Sequence, residues 1–380
     1  MSIYLDHTAT SQPTPAAVAC LCDALTANFA NPSSIHKLGQ EASGLLKRAR
    51  ADCAAQLGCD PLNLLLTSGG TESINLAIKG YVAANPRAGK RIITSLGEHA
   101  ATAETLNYLE KQGYDIVRLP LTKAGTVDLD QLAAALEQPA ALISLIHVSN
   151  ETGAVNSADE IVRLRNTSGS QPAIHLDAVQ TAGKLPFDFA RSGVDMISGS
   201  GHKVGAPKGI GWLVRRANIR LQPQIHGGGQ QDGLRSGTEN PPMAAALAVA
   251  LAESVQDLPA KSAFVRCLRR LFLDDLRQSG LEPAVLSPED AVPHILALSF
   301  PGLRGETLLH ALEARGISIS TGSACSSRHS RRGNPVLRAM GVRDDWAACA
   351  VRISFSSANR EEEIHLAALA VVEIYQRLHR

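Results

Sequence analysis

The chain has 380 residues, enough to bury a large core, and its 44% hydrophobic and 19% charged content is ordinary for a soluble globular protein. Its net charge of +1, from 37 basic and 36 acidic residues, gives no field to draw it to nucleic acid or a membrane surface, and no stretch approaches the roughly 20 apolar residues of a membrane span. Seven scattered cysteines behind an N-terminus without a secretory pattern predict reduced thiols and a cytoplasmic location, and 12 dispersed histidines without C-x-x-C or H-E-x-x-H predict no metal site.

From residue 62 to 215, short apolar runs alternate with helical patterns. In chain order the runs are "LNLLLTS", "RIITSL", "DIVRLP", "ALISLIHV", "AIHLDAV", "DMISGS" and "GIGWLV", with helices predicted at "ESINLAIKGYVAA" and "DLDQLAAALEQ". Their continuous apolarity predicts strands covered on both faces, hence an α/β fold with a mostly parallel sheet between helices. Ligands sit at the carboxyl ends of such strands, where Thr71, His99, Asn150, Asp177 and Lys203 fall. After Pro241–Pro242 the pattern predicts helices over 243–255 and 262–278, the strand "HILALSF", a helix near 305–315, strands at "ISIST" and "AVRISFS", and a helix from about 360. Asn359 and Glu362 read as the N-cap and N3 pair of that last helix. The expected division is a large domain over 15–255 and a smaller α+β domain from 1–14 and 256–380.

Three features carry chemistry. "TSGGTES" is a glycine turn from strand into helix, with Thr71 as the natural N-cap and free N–H groups, including that of Gly70, able to hold a phosphate; it lacks P-loop spacing. Asp177 ends an apolar strand, as a helix cap or as a carboxylate for a protonated pyridine nitrogen. Lys203, in the glycine-lined "SGSGHKVGAPKG", is either a loop lysine or an amine consumed as a Schiff base. The last two together are what a pyridoxal phosphate site needs.

Ten collinear segments complete the pattern: "YLDHTAT", "NPSSIHKLG", "TSGGTESINLAIKG", "EHAA", "HVSNETGAV", "HLDAVQTAGKLP", "SGSGHKVGAPKGIGWL", "HGGGQQDGLRSGT", "STGSACSS" and "VRISFS". In order and spacing they resemble the motifs of the cysteine desulfurases, the NifS/IscS-like branch of the class V aminotransferases, from residue 3 to roughly 360. The resemblance implies pyridoxal phosphate fold type I, with a seven-stranded sheet in the large domain. It implies that Lys203 binds pyridoxal 5'-phosphate as a Schiff base, that His99 stacks on its ring, and that Asp177 and Gln180 meet the ring nitrogen and hydroxyl. Phosphate ligands would be Thr71, Ser200 and His202, with Thr238 crossing from the second subunit of a homodimer. Asn150 and Arg352 would hold the carboxylate of L-cysteine, and Cys325 in "GSAC" would take the sulfur for a protein acceptor such as an iron–sulfur scaffold or a tRNA-thiolation enzyme.

The sequence departs from the family most in the loop "CSSRHSRRGNP", where Arg328, His329, Arg331 and Arg332 replace a short loop with an acidic residue. These cations favour a thiolate on Cys325 and put the identity of the acceptor in doubt. Gly70 and Ser149 stand where the family commonly has alanine and asparagine. A cystine or selenocysteine lyase or an aminotransferase would share everything except dependence on Cys325. An inactive partner-binding scaffold would not need the Lys203, Asp177 and His99 set.

Overall fold

The computed structural model describes residues 2–321 and 334–379; Cys325, Arg328, His329, Arg331 and Arg332 lie outside them. In chain order the strands are β1 (Ile3–Tyr4), β2 (Leu64–Thr67), β3 (Arg91–Ser95), β4 (Asp115–Leu119), β5 (Leu142–Ile146) and β6 (Ala173–Asp177). They continue with β7 (Met196–Ser200), β8 (Gly211–Arg215), β9 (Ala284–Val285), β10 (Ile295–Ser299), β11 (Ile317–Ser318) and β12 (Ala350–Ser354). Every apolar run predicted as a strand contains one.

Seven strands form one sheet in the order β2-β8-β7-β6-β5-β3-β4. β8 runs antiparallel to both its neighbours, and the other pairings are parallel. All residues of β5, β6 and β7 are buried, as unbroken apolar strands require when both faces are covered. On one face Ile143, Leu145, Leu176 and Ile197 join a core with Leu46, Leu57 and Leu251, from helices Lys37–Leu57 and Pro241–Val255. On the other, Ile92, Leu142 and Leu213 pack with Ile78 and Leu106. Helices Pro15–Ala27 and Lys37–Leu57 occupy a stretch where the sequence reading placed no element; Thr14 and His36 cap them by accepting from Ala17 N and Gly39 N.

A second antiparallel sheet, β12-β10-β9, and the parallel pair β1-β11 share another core, in which Leu5, Phe272, Phe300, Phe355 and Ile364 are buried. Helices Leu258–Gln278, Gly305–Glu313 and Glu361–Leu378 cover it. The last helix begins one residue later than expected. Arg360 is its N-cap and Glu363 its N3 partner, because Asn359 Oδ1 is already taken by Ser356 N at 3.0 Å and its amide reaches Tyr4 O. Among the described residues no helix is long and apolar enough to cross a membrane.

Candidate active site

The polar residues predicted at the strand ends meet in one cavity of about 300 Å³. Its walls come from the N-terminal segment, the turn after β2, the ends of β5, β6 and β7, and β12. Gly70, Thr71, His99, Asn150, Asp177, Gln180, Ser200, His202, Lys203 and Arg352 all line it. Thr238 is exposed and outside those walls. Cys325 lies outside the described residues.

The approach to Lys203 is set by glycine. Gly199 in β7 is paired with Trp212 in β8, and a Cβ there would stand 2.1 Å from the indole ring. The strand therefore lies flat on Trp212, then turns through the single 3-10 turn Gly201–Lys203. Lys203 Nζ donates to Thr8 O at 2.7 Å and Ala9 O at 2.6 Å. The N-terminal segment is thereby held across the cavity, and Thr8 O also accepts from Gln180 Nε2 at 3.1 Å.

Thr71 does not cap its helix. The cap is Gly69, which offers no side chain, while Glu72 accepts from Ser68 N at 2.8 Å, leaving Thr71 in the first turn beside the cavity. The helical run from Gly70 to Ala84 passes through a π-turn at Leu76–Gly80. His99 caps the helix Ala100–Lys111, its Nδ1 accepting from Ala101 N at 3.1 Å, which fixes the ring and leaves Nε2 as its other hydrogen-bonding atom.

Asp177 at the end of β6 is 3 % exposed and accepts from Val179 N at 3.0 Å. Burial raises its pKa, opposed by the nearby His99 and Lys203. A cation against this carboxylate would stabilise its ionised form. Beside it, burial pushes Glu98 up to about 8, although Ser95 Oγ and Ile146 N donate to its Oε1. His202 is pulled down to about 4 by burial and by Lys203, Lys208 and Lys184, so it is a neutral imidazole at pH 7.

Arg352 is fixed before any ligand arrives. Its guanidinium donates to Asp6 Oδ1 at 3.0 Å and to Asn150 O at 2.9 Å, and Glu151 Oε1 lies 3.7 Å away. Among the described residues its buried Nε has no hydrogen-bond partner. The amide of Asn150 is itself held by Glu151 at 2.8 Å. Sequence reasoning assigned no role to Asp6, Thr8, Glu98 or Glu151. Asp6 and Thr8 stand in the quoted "YLDHTAT", and Glu98 and Glu151 adjoin His99 and Asn150, so the motifs flagged the segments without saying which atoms face the site.

The profile of the Aminotransferase class-V family matches residues 3–366. The chain is 40% identical over 384 residues to a NifS/IcsS protein homolog of Lactobacillus delbrueckii subsp. bulgaricus, covering 100% of this chain and 98% of that one. It is 38% identical over 385 residues to the cysteine desulfurase IscS of Azotobacter vinelandii, covering 100% and 94%. A solved NifS-like protein superposes with a TM-score of 0.93 at 33% identity, with both chains fully covered.

Proposed function

The chain belongs to the class-V aminotransferase family and, within it, to the cysteine desulfurases, and from that membership we propose how its own residues release sulfur from L-cysteine. Its fold is that of the fold type I pyridoxal phosphate enzymes. The observation that carries the residue assignment is the convergence of Lys203, Asp177, His99 and Arg352 on one cavity.

The family works with pyridoxal 5'-phosphate, and the donor set of the cavity fits that group. A Cβ on Gly70 would stand 3.0 Å from Val179 Cγ2 and 3.4 Å from Ser200 Cβ, so glycine keeps open the turn where a phosphate would rest. The N–H groups of that turn, with Thr71, Ser200 and His202, would hold the phosphate. Asp177 would pair with the ring nitrogen, Gln180 with the ring hydroxyl, and His99 would cover the ring. When bound, the cofactor supplies an aldehyde for the amine of Lys203 or of the substrate, and a cationic ring that draws electrons from Cα.

Arg352 would orient the substrate carboxylate through the N–H capacity it retains, with Asn150 beside it. Lys203 Nζ, displaced by the substrate amine, would accept the Cα proton. Cys325 is assigned as the sulfur acceptor from "GSAC". Its thiolate attacks the substrate Sγ, an S–S bond forms as the Cβ–Sγ bond breaks, and the released electron pair ends on Cβ, where a proton completes L-alanine. The balance is L-cysteine plus the Cys325 thiol giving L-alanine plus a Cys325 persulfide. The cytoplasmic location, the division at 15–255 and the delivery of sulfur to an acceptor protein belong to the same reading.

The deciding experiment gives the reconstituted protein L-cysteine and a reductant and measures alanine and sulfide together. Wild type is expected to yield them in equal amounts. Cys325→Ala is expected to lose both while still exchanging the Cα proton of L-cysteine with solvent. Alanine and sulfide at close to the wild-type rate from Cys325→Ala would make the protein a lyase-type relative instead.

A further inference from the structure

A second cavity, of about 430 Å³, shares only Lys203 with the first. Its walls combine the N-terminal segment, the turn at Gly183–Lys184, the start of the helix Leu258–Gln278, and residues 293–294 and 355–358. Besides Lys203, which the cofactor would engage, its charged side chains are Lys184, Lys261 and Glu253, and His7 and His294 line it too.

Two of these groups, His294 and Glu253, carry a buried polar atom without a hydrogen-bond partner among the described residues. The atoms are His294 Nε2, on a side chain 7 % exposed, and Glu253 Oε2. Buried polar atoms are rarely left unpaired, so such atoms lining one cavity mark a polar site for water or a ligand. Lys184 Nζ donates to the neutral Gln180 Oε1 at 2.7 Å and Lys261 Nζ to the backbone of Glu253 at 2.5 Å, and among the described residues neither forms an ion pair with a carboxylate. Burial, with the charges of Lys203 and Arg352, pulls Lys184 down to about 7, and an anion beside it would favour its charged form. Leu258, Val265 and Phe355 add apolar surface to the same walls. The size and the mixture of a few converging polar groups with an apolar wall are those of a small-molecule site.

We propose that this cavity binds a small organic anion, its acidic head among Lys184, Lys261 and His294 and its apolar body against Leu258, Val265 and Phe355. Such a ligand touches the stem of Lys203 and, through the Lys184–Gln180 hydrogen bond, a wall of the first cavity. The site is therefore placed to couple occupancy of one cavity to the other.

Calorimetric titration of the protein reconstituted with pyridoxal phosphate tests this, with benzoate and butyrate as probes. The cofactor occupies the phosphate cradle, and Arg352→Gln controls for binding at the substrate carboxylate position. Saturable one-to-one binding is expected in wild type and in Arg352→Gln, weakened about tenfold or more in Lys261→Gln and in His294→Leu. Lys261 is half-buried at a helix start, so its variant retains the fold even if His294→Leu does not. Absence of saturable binding for both probes overturns the proposal. So does binding that Arg352→Gln abolishes and Lys261→Gln leaves intact.

Discussion

Asp177 is a carboxylate that the chain has buried almost completely, with one backbone N–H on Oδ1 and its charge opposed by desolvation. Burial disfavours its charged form, and a protonated ring nitrogen would supply a cation that restores it. Asp177→Asn keeps the shape and the acceptor but cannot hold that proton. Turnover of L-cysteine is expected to fall by about 100-fold or more while the cofactor still binds. Absorbance of the reconstituted variant and its alanine production measure the two separately, and an asparagine enzyme with near-normal alanine production would overturn the role. Residues of this kind were legible in the sequence because their side chains are unusual where they stand: an acid closing the apolar run "AIHLD", a lysine among glycines. Thr8 and Ala9 were not legible, since they serve through backbone carbonyls. Glu151 was not either: its burial beside Arg352 and Asn334 comes from contacts 201 and 183 positions away in the chain.

β7 shows how an element transmits sequence to the site. Gly199 permits β7 to lie against Trp212, and four residues later the chain must present Lys203 to the cavity. Gly199→Ala would force a methyl into the indole, an overpacking that displaces backbone and costs about 3 kcal/mol. Urea unfolding is expected to register that loss, and cofactor loading on Lys203 to fall with it; a variant of wild-type stability would show that Trp212 can move aside. The neighbouring strands carry a polar tie within the core. His175 in β6 meets Ser144 Oγ of β5 and Ser198 Oγ of β7, each at 2.9 Å, and burial pulls its pKa down to about 3. An unfolded histidine titrates near 6.5, so between these values the unfolded chain binds the additional proton. The contribution of His175 to stability is thus complete above about pH 6.5 and is lost as pH falls. His175→Gln lacks that titration, so the stability gap between wild type and variant is expected to shrink by about 1.4 kcal/mol per unit as pH drops from 6 towards 4. A gap that stays constant in urea melts at pH 7 and pH 5 would mean that His175 titrates normally. At this scale the strands were legible because both-face burial leaves unbroken apolar runs. The caps were misread by one or two positions, because the competing partners of Asn359 and Thr71 are set by distant chain and by a glycine.

For the whole molecule, the position of Thr238 bears on assembly. Its segment is tied down by Arg235, whose Nε donates to Glu72 Oε1 at 2.9 Å, yet Thr238 is exposed and does not line its own chain's cavity. In the proposed function this exposure is met by a two-fold dimer in which each subunit lends Thr238 to the other's phosphate site. Sedimentation at assay concentration is expected to give twice the chain mass, and a fully active monomer would exclude the arrangement. Mixed dimers discriminate further. If Thr238 acts across the interface, a dimer of one Lys203→Ala chain and one Thr238→Val chain concentrates both defects in one site and leaves the other intact. That intact site is expected to bind cofactor as tightly as wild type. If Thr238 served its own chain, the one site retaining Lys203 would carry the threonine defect, and its cofactor affinity would match that of the Thr238→Val homodimer.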